Sequence, residues 1–272
     1  MKRIEQLASQ SPIAFGFMIT FVFIFMLIIS AILGNLWHGQ ESYGQPGAIL
    51  GRGISTIVML ILLSYLGWMK SAGFTTPGHV SVWVITTLLL TYSILASSYA
   101  FKGSFNALFS ITGIPFLTTI FIAVAAFMEE VVFRGLILHP FIHTWGMKKA
   151  GTTKGVVISS LLFSSIHLLD FLSGRPLSAV LLQSLNALLL GVILASLVLI
   201  GKSIYPAVLF HLALNISAYV LIGSNHFEPA PYAWLSLSLL MIIPTVVGIY
   251  IVKTRYRTIP DKQMTNDIYT EE

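Results

Sequence analysis

The 272-residue sequence contains no cysteine, which excludes thiol nucleophiles, disulfides and Cys-based metal sites together. Charge is scarce too. Asp, Glu, Lys and Arg make up 9% of the chain against 56% hydrophobic residues, and mean hydropathy is +0.87. That balance excludes an ordinary water-soluble domain. HExxH and GxSxG are also missing, so neither the helical zinc-protease motif nor the serine-hydrolase elbow is available. No internal repeat or low-complexity segment interrupts the chain. What remains is the composition of an integral membrane protein.

Crossing hydrocarbon takes about 20 predominantly apolar residues, and eight runs qualify, at roughly 12–36, 49–69, 80–100, 115–142, 155–172, 180–200, 204–222 and 232–252. Their continuous apolar character excludes barrel strands, which alternate, so the expected fold is all-α and polytopic, with about eight transmembrane helices. Pro115 suits the first turn of the fourth helix, although apolar character reaches back to Phe105, where a ninth re-entrant or interfacial piece would fit. With these spans, eleven Lys and Arg residues lie on one side: Lys2, Arg3, Lys70, Lys148, Lys149, Lys154, Lys202, Lys253, Arg255, Arg257 and Lys262. The other side holds Arg52, Lys102 and Arg175. The positive-inside rule then places both termini in the cytoplasm. Trp37, Trp68, Trp145 and Trp234 fall near helix ends, as an aromatic belt requires. The net charge of +5 is accounted for by topology and anionic lipid, and calls for no nucleic-acid partner. The first run is too long for a signal peptide and lacks a small-residue cleavage site, so it is expected as a mature helix. We expect one integral membrane domain over 1–272, with a short polar cytoplasmic tail at about 253–272.

The scarce charges are placed unevenly. AAFMEEVVFRGL (125–136) puts Glu129, Glu130 and Arg134 midway along the fourth span, where each ionisable group costs on the order of 2.5–3.5 kcal/mol to insert. On a helix Glu130 and Arg134 share a face at i and i+4, whereas Glu129 points about 100° away. Glu129 is then either protonated by burial or served by a neighbouring helix. A buried ion pair that fixes packing needs only one pair, and here there are three charges. The fifth span carries LLFSSIHLLD, with Phe163 and His167 at i and i+4; the seventh carries LFHLALNISAY, with His211 and Asn215 likewise spaced. Each alone is compatible with helix–helix contacts. Together they offer a carboxylate, two imidazoles and an amide.

That set suits hydrolytic acyl transfer. A carboxylate takes a proton from water, an imidazole holds the water or shuttles the proton, and a histidine with an amide donates to a developing oxyanion. Alternatively Glu129, His167 and His211 could ligate a divalent metal such as zinc; the residue types leave open whether a metal is used. His139 and His143 in HPFIH resemble a metal pair, but Pro140 is expected to disrupt the turn between them at the interface. His38, His79 and His226 read as surface residues. Ser159, Ser160, Ser164, Ser165, Gln183, Ser184, Asn186, Gly191 and Ser196 suit close helix packing, and a serine nucleophile at Ser164 or Ser165 lacks an exposing turn.

In this order on successive spans, Glu129-Glu130-x-x-x-Arg134, Phe163-x-x-x-His167 and His211-x-x-x-Asn215 resemble the three motifs of the CPBP family. These are the CAAX-protease and bacteriocin-processing (Abi) membrane proteins, which include the Ras-converting CAAX endopeptidase. The likeness covers about residues 113–222, the catalytic half, with no departure at a motif position. It implies an eight-helix intramembrane endopeptidase open toward membrane and cytoplasm. Carried over by residue, Glu129 is the general base, His167 assists, His211 and Asn215 form the oxyanion site or help ligate a metal, and Glu130 with Arg134 orients the site. It further implies a prokaryotic plasma membrane and peptide substrates that are membrane-associated, lipidated or CAAX-type, or are secreted-peptide precursors. The competing expectations are a non-catalytic membrane scaffold or bacteriocin-immunity protein, and a proton-coupled transporter using the same Glu and His.

Overall fold

A computed structural model describes residues 2–38, 46–100, 115–146, 148, 150–222 and 231–257, and every regular element among them is helical. Among the described residues nine helices follow one another: α1 Lys2–Gln10, α2 Pro12–His38, α3 Pro46–Tyr65, α4 Val80–Ala100, α5 Phe116–Trp145, α6 Gly151–Ser173, α7 Leu177–Gly201, α8 Tyr205–Ile222 and α9 Pro231–Arg257. Seven of them are long and apolar enough to cross a bilayer; α8 is apolar but shorter. Its 18 residues still reach about 27 Å at 1.5 Å per residue, close to the hydrocarbon thickness. The protein is an all-α, multi-pass membrane protein. The suspected piece near Phe105, together with Lys102, Lys149, Lys262 and His226, lies outside the described residues.

Helices α2 to α9 coincide with the eight expected spans, with shifts at the ends that have local causes. The second run was expected to reach residue 69, but α3 stops at Tyr65, where Gly67 takes φ +71° and turns the chain. Trp68 then sits in a connector, edge-on to Phe15 at 5.8 Å and 4.9 Å from the ring of His139. The additional helix, α1, is too short and too polar to register as a span; Ile4, Leu7 and Ala8 nevertheless pack on the core.

Apolar residues surround most of these helices, because both environments they face, lipid and protein, are apolar. On α2, Phe17, Phe21 and Phe25 point outward while Phe15, Ile19 and Phe23 are buried. Helix α7 is the axis of the bundle, with 78% of its spanning window buried, and α5 follows with 56%. Around α7 pack α6, α8, α9 and α4. The α6–α7 seam is very close: a Cβ on Gly191 would lie 2.9 Å from Ser160 Cβ and 3.1 Å from its Cα. Small residues therefore set the spacing, as expected where hydrophobicity cannot drive helix association. Of the small and polar residues assigned to packing, Ser159, Ser160, Ser164, Ser184, Asn186, Gly191 and Ser196 are buried, whereas Ser165 is exposed and Gln183 is half-buried.

The connector between α3 and α4 meets the turn between α7 and α8. Ile204 N–H donates to Gly73 O, Ser203 Oγ to Thr76 O, Thr76 Oγ1 to Lys202 O and Tyr205 OH to Phe74 O. The two connectors share one side of the bundle, which agrees with the alternation of the spans.

Candidate active site

Two helices change pitch where the polar residues fall. Within α5, Phe116–Glu130 is α-helical, Val131–Leu138 is a π-helical stretch and His139–Trp145 is α-helical again. Every residue of the π stretch is buried. Wider i→i+5 turns of this kind are rare and frequent at functional sites. Pro140 does not interrupt α5, contrary to expectation. It occupies the start of the last α-helical part, and a proline there has no N–H to leave unused in the register change. In α6, the α-helix Gly151–Ser165 tightens to the 3-10 helix Ile166–Ser173, with His167 its second residue.

Glu130 and Arg134 pair across one turn, Nε to Oε2 3.2 Å, with side chains 0% and 1% exposed. Arg134 reaches further: Nη2 donates to Gly191 O on α7 at 3.2 Å, and its Cζ lies 4.7 Å over the ring of Phe163 from α6. The guanidinium thus ties α5 to both neighbours. The second oxygen of Glu130, Oε1, accepts from His211 Nδ1 on α8 at 2.8 Å. A carboxylate so bound fixes the imidazole's orientation and directs Nε2 the other way. That way lies Glu129: His211 Nε2 is 3.6 Å from Glu129 Oε2. Glu129 is also the more accessible carboxylate, its side chain 15% exposed against 0% for Glu130. Adjacent glutamates therefore flank one imidazole, the first reachable and the second locked in an ion pair.

Phe163 is the hub between the motifs. Its ring contacts Phe133 at 5.2 Å, His167 at 5.3 Å and His211 at 5.8 Å, all edge-on. His167 Nδ1 donates to Phe163 O at 3.3 Å, leaving its Nε2 for other partners. The two imidazoles therefore stand on the same aromatic ring and do not touch. Asn215, one turn from His211 and half-buried, makes no side-chain hydrogen bond among the described residues. The structure thus joins Glu129, Glu130, Arg134 and His211 directly, and brings His167 in through Phe163.

The alternative metal set is not assembled. Among the described residues no three His, Asp or Glu side chains stand close enough to hold a metal ion, His211 Nδ1 is taken by Glu130, and no contact joins His167 to the Glu129–His211 pair. These residues, as placed, do not fit a three-ligand zinc site. The other histidine pair, His139 and His143, has ring centroids 6.1 Å apart, with Ser71 Oγ 3.4 Å from His139 Nε2, and among the described residues it belongs to no group of three metal-ligating side chains. Ser164 and Ser165 donate to Leu161 O and Leu162 O of their own helix, so neither is presented as a nucleophile.

Three residues make contacts that the sequence patterns do not announce. Gly191 was assigned to packing alone, yet its carbonyl holds Arg134. Phe163 was a motif letter without a role; its signal was the i, i+4 spacing to His167. Asp170, three residues after His167, forms a cluster with Arg175 and Gln183 that the single helical periodicity could not reveal.

Residues 110–217 match the family model described as Rce1-like, type II CAAX prenyl endopeptidase Rce1-like. No curated protein and no solved structure matches the chain. The matched segment contains Glu129, Glu130, Arg134, Phe163, His167, His211 and Asn215, every residue that builds the arrangement above. Over this segment the chain is similar to the Rce1-like family.

Proposed function

We propose that this protein is an intramembrane endopeptidase in which Glu129 activates water for attack on a peptide carbonyl. The observation that carries the reading is the Glu129–His211–Glu130 arrangement: of two adjacent carboxylates at mid-span, one is neutralised by Arg134 and the other is left accessible beside an oriented imidazole. Glu129 accepts a proton as the water oxygen adds to the carbonyl carbon, and returns it to the leaving amine as the C–N bond breaks. His211 Nε2, opposite the Nδ1–H given to Glu130, accepts from the Glu129 carboxyl while that group holds the proton. Asn215, on the same face of α8, has an amide available to donate to the oxyanion. His167, held from its Nδ1 side, offers Nε2 to the water or to the substrate. Glu130 and Arg134 act by positioning His211.

The substrates in this reading are peptides or proteins at the membrane, with lipidated and CAAX-type C-termini first among the candidates because of the family match. Both termini are cytoplasmic, on the side richer in Lys and Arg, and one membrane domain carries the whole activity.

The test is cleavage of a quenched fluorescent library of lipidated and unlipidated peptides by the reconstituted protein, with Glu129→Ala in parallel and with and without chelator. Wild-type cleavage that vanishes in the variant and persists with chelator is the expected result. Loss with chelator would require a metal-assisted scheme with ligands brought together by substrate. If neither protein cleaves while both stay folded, the scaffold or immunity reading replaces this one.

A further inference from the structure

Helix α6 ends in a segment with little to hold it in the hydrophobic core. Of Ile166–Ser173, only Ile166 is buried, while Leu168, Phe171 and Leu172 are 44%, 52% and 81% exposed. Apolar contact with lipid does not select a rotational setting, yet this segment carries His167. What does select one is a closed triangle of side chains. Asp170 Oδ2 accepts from Arg175 Nη1 at 2.7 Å and from Gln183 Nε2 at 3.0 Å, and Arg175 also donates to Gln183 Oε1. Asp170 belongs to the 3-10 helix, Arg175 to the connector and Gln183 to the second turn of α7, so the three elements are mutually tied. Gly174, at φ +86°, lets the connector reverse, and Ser184 Oγ donates to Ser164 O at 3.2 Å, a second tie beside the first.

The 3-10 pitch connects this triangle to the site. Three residues per turn place i and i+3 in line, so Asp170 lies directly along the axis from His167 and the setting of one fixes the other. Were the segment α-helical, the two would diverge by about 60°. We propose that Asp170, Arg175 and Gln183 form a positioning unit that sets the direction of His167 at the active site. This inference rests on the hydrolytic reading above, and it adds specific residues outside the three motifs. Arg175, the one described cation on the far side of the bundle apart from Arg52, thereby acquires a role that topology alone does not assign. The tie works at the margin of the bilayer, where polar side chains have few alternative partners on the protein.

The experiment uses the full chain in lipid nanodiscs. Selective 15N-histidine spectra, with the His167 signals assigned by their loss in His167→Gln, read its tautomer, and hydrogen–deuterium exchange reads residues 166–173. Expected are a single Nδ1–H form in the wild type, a mixture of tautomers with faster exchange in Asp170→Ala, and retention of the wild-type pattern in Asp170→Asn, which keeps an acceptor oxygen. On a peptide that the wild type cleaves, Asp170→Ala lowers kcat on the order of ten- to a hundredfold with KM unchanged, and Asp170→Asn recovers most of it. A wild-type His167 signature in Asp170→Ala overturns the proposal, as does a loss in Asp170→Asn as large as in Asp170→Ala. If Asp170→Ala does not fold, Gln183→Ala, which removes two of the triangle's three bonds and leaves Arg175 on Asp170, carries the same readings. Should the wild type cleave nothing, the hydrolytic reading falls, while the spectra still decide whether the triangle directs His167.

Discussion

Glu129 and Glu130 are neighbours in sequence with opposite circumstances. Glu130 is fully buried, ion-paired with Arg134 and bonded to His211, so removing its carboxylate strands a guanidinium in the core. Glu130→Ala is expected to destabilise the protein by about 3–5 kcal/mol, seen as a lowered thermal unfolding midpoint in detergent. Glu129 carries no such load. Glu129→Gln should leave the midpoint near wild type and abolish cleavage, so the two substitutions separate stability from chemistry at adjacent positions. A Glu129→Gln variant that unfolds as readily as Glu130→Ala would show both carboxylates to be structural. The pairing of Glu130 with Arg134 was legible from i, i+4 spacing; the capture of His211 by the same carboxylate was not, because it joins residues 81 apart in the chain.

At the scale of helices, the α6–α7 seam sets the position of two site elements together. Gly191 admits Ser160 to van der Waals contact and offers its carbonyl to Arg134. A methyl at this position meets the Ser160 backbone, so the helices must separate. Gly191→Ala is expected to cost about 1–3 kcal/mol, as overpacking does, and to lower cleavage beyond its effect on stability, because Arg134 and Phe163 lose their shared setting. Comparing kcat well below each protein's unfolding temperature checks this. Serine and glycine spacing announced a close-packed surface, but not which helix would lie against it. The π stretch of α5 and the 3-10 end of α6 were equally hidden, since the choice among i+3, i+4 and i+5 bonding depends on what neighbouring helices demand of Arg134 and His167. Periodicity written as 100° per residue assumes that choice in advance.

At the scale of the molecule, the alternation of spans predicts that Lys148 and Ser178 lie on opposite sides of the membrane. The absence of cysteine makes this directly measurable: Lys148→Cys should react with an impermeant maleimide only from the cytoplasmic side, and Ser178→Cys only from the other. Labelling of both from one side would refute the arrangement. Hydropathy alone located the eight apolar helices, seven of them long enough to cross a bilayer, because the insertion of each apolar run into lipid is a property of that run and its length. The positions of Lys and Arg determined the expected orientation for the same reason, and the motif spacings determined which side chains share a helix face. The site itself was decided only by the tertiary structure. Which imidazole Glu130 orients, whether three ligands converge on a metal and what holds the end of α6 all depend on contacts between helices. In a membrane, sequence hydrophobicity does not specify those contacts, because lipid satisfies an apolar surface as well as another helix does.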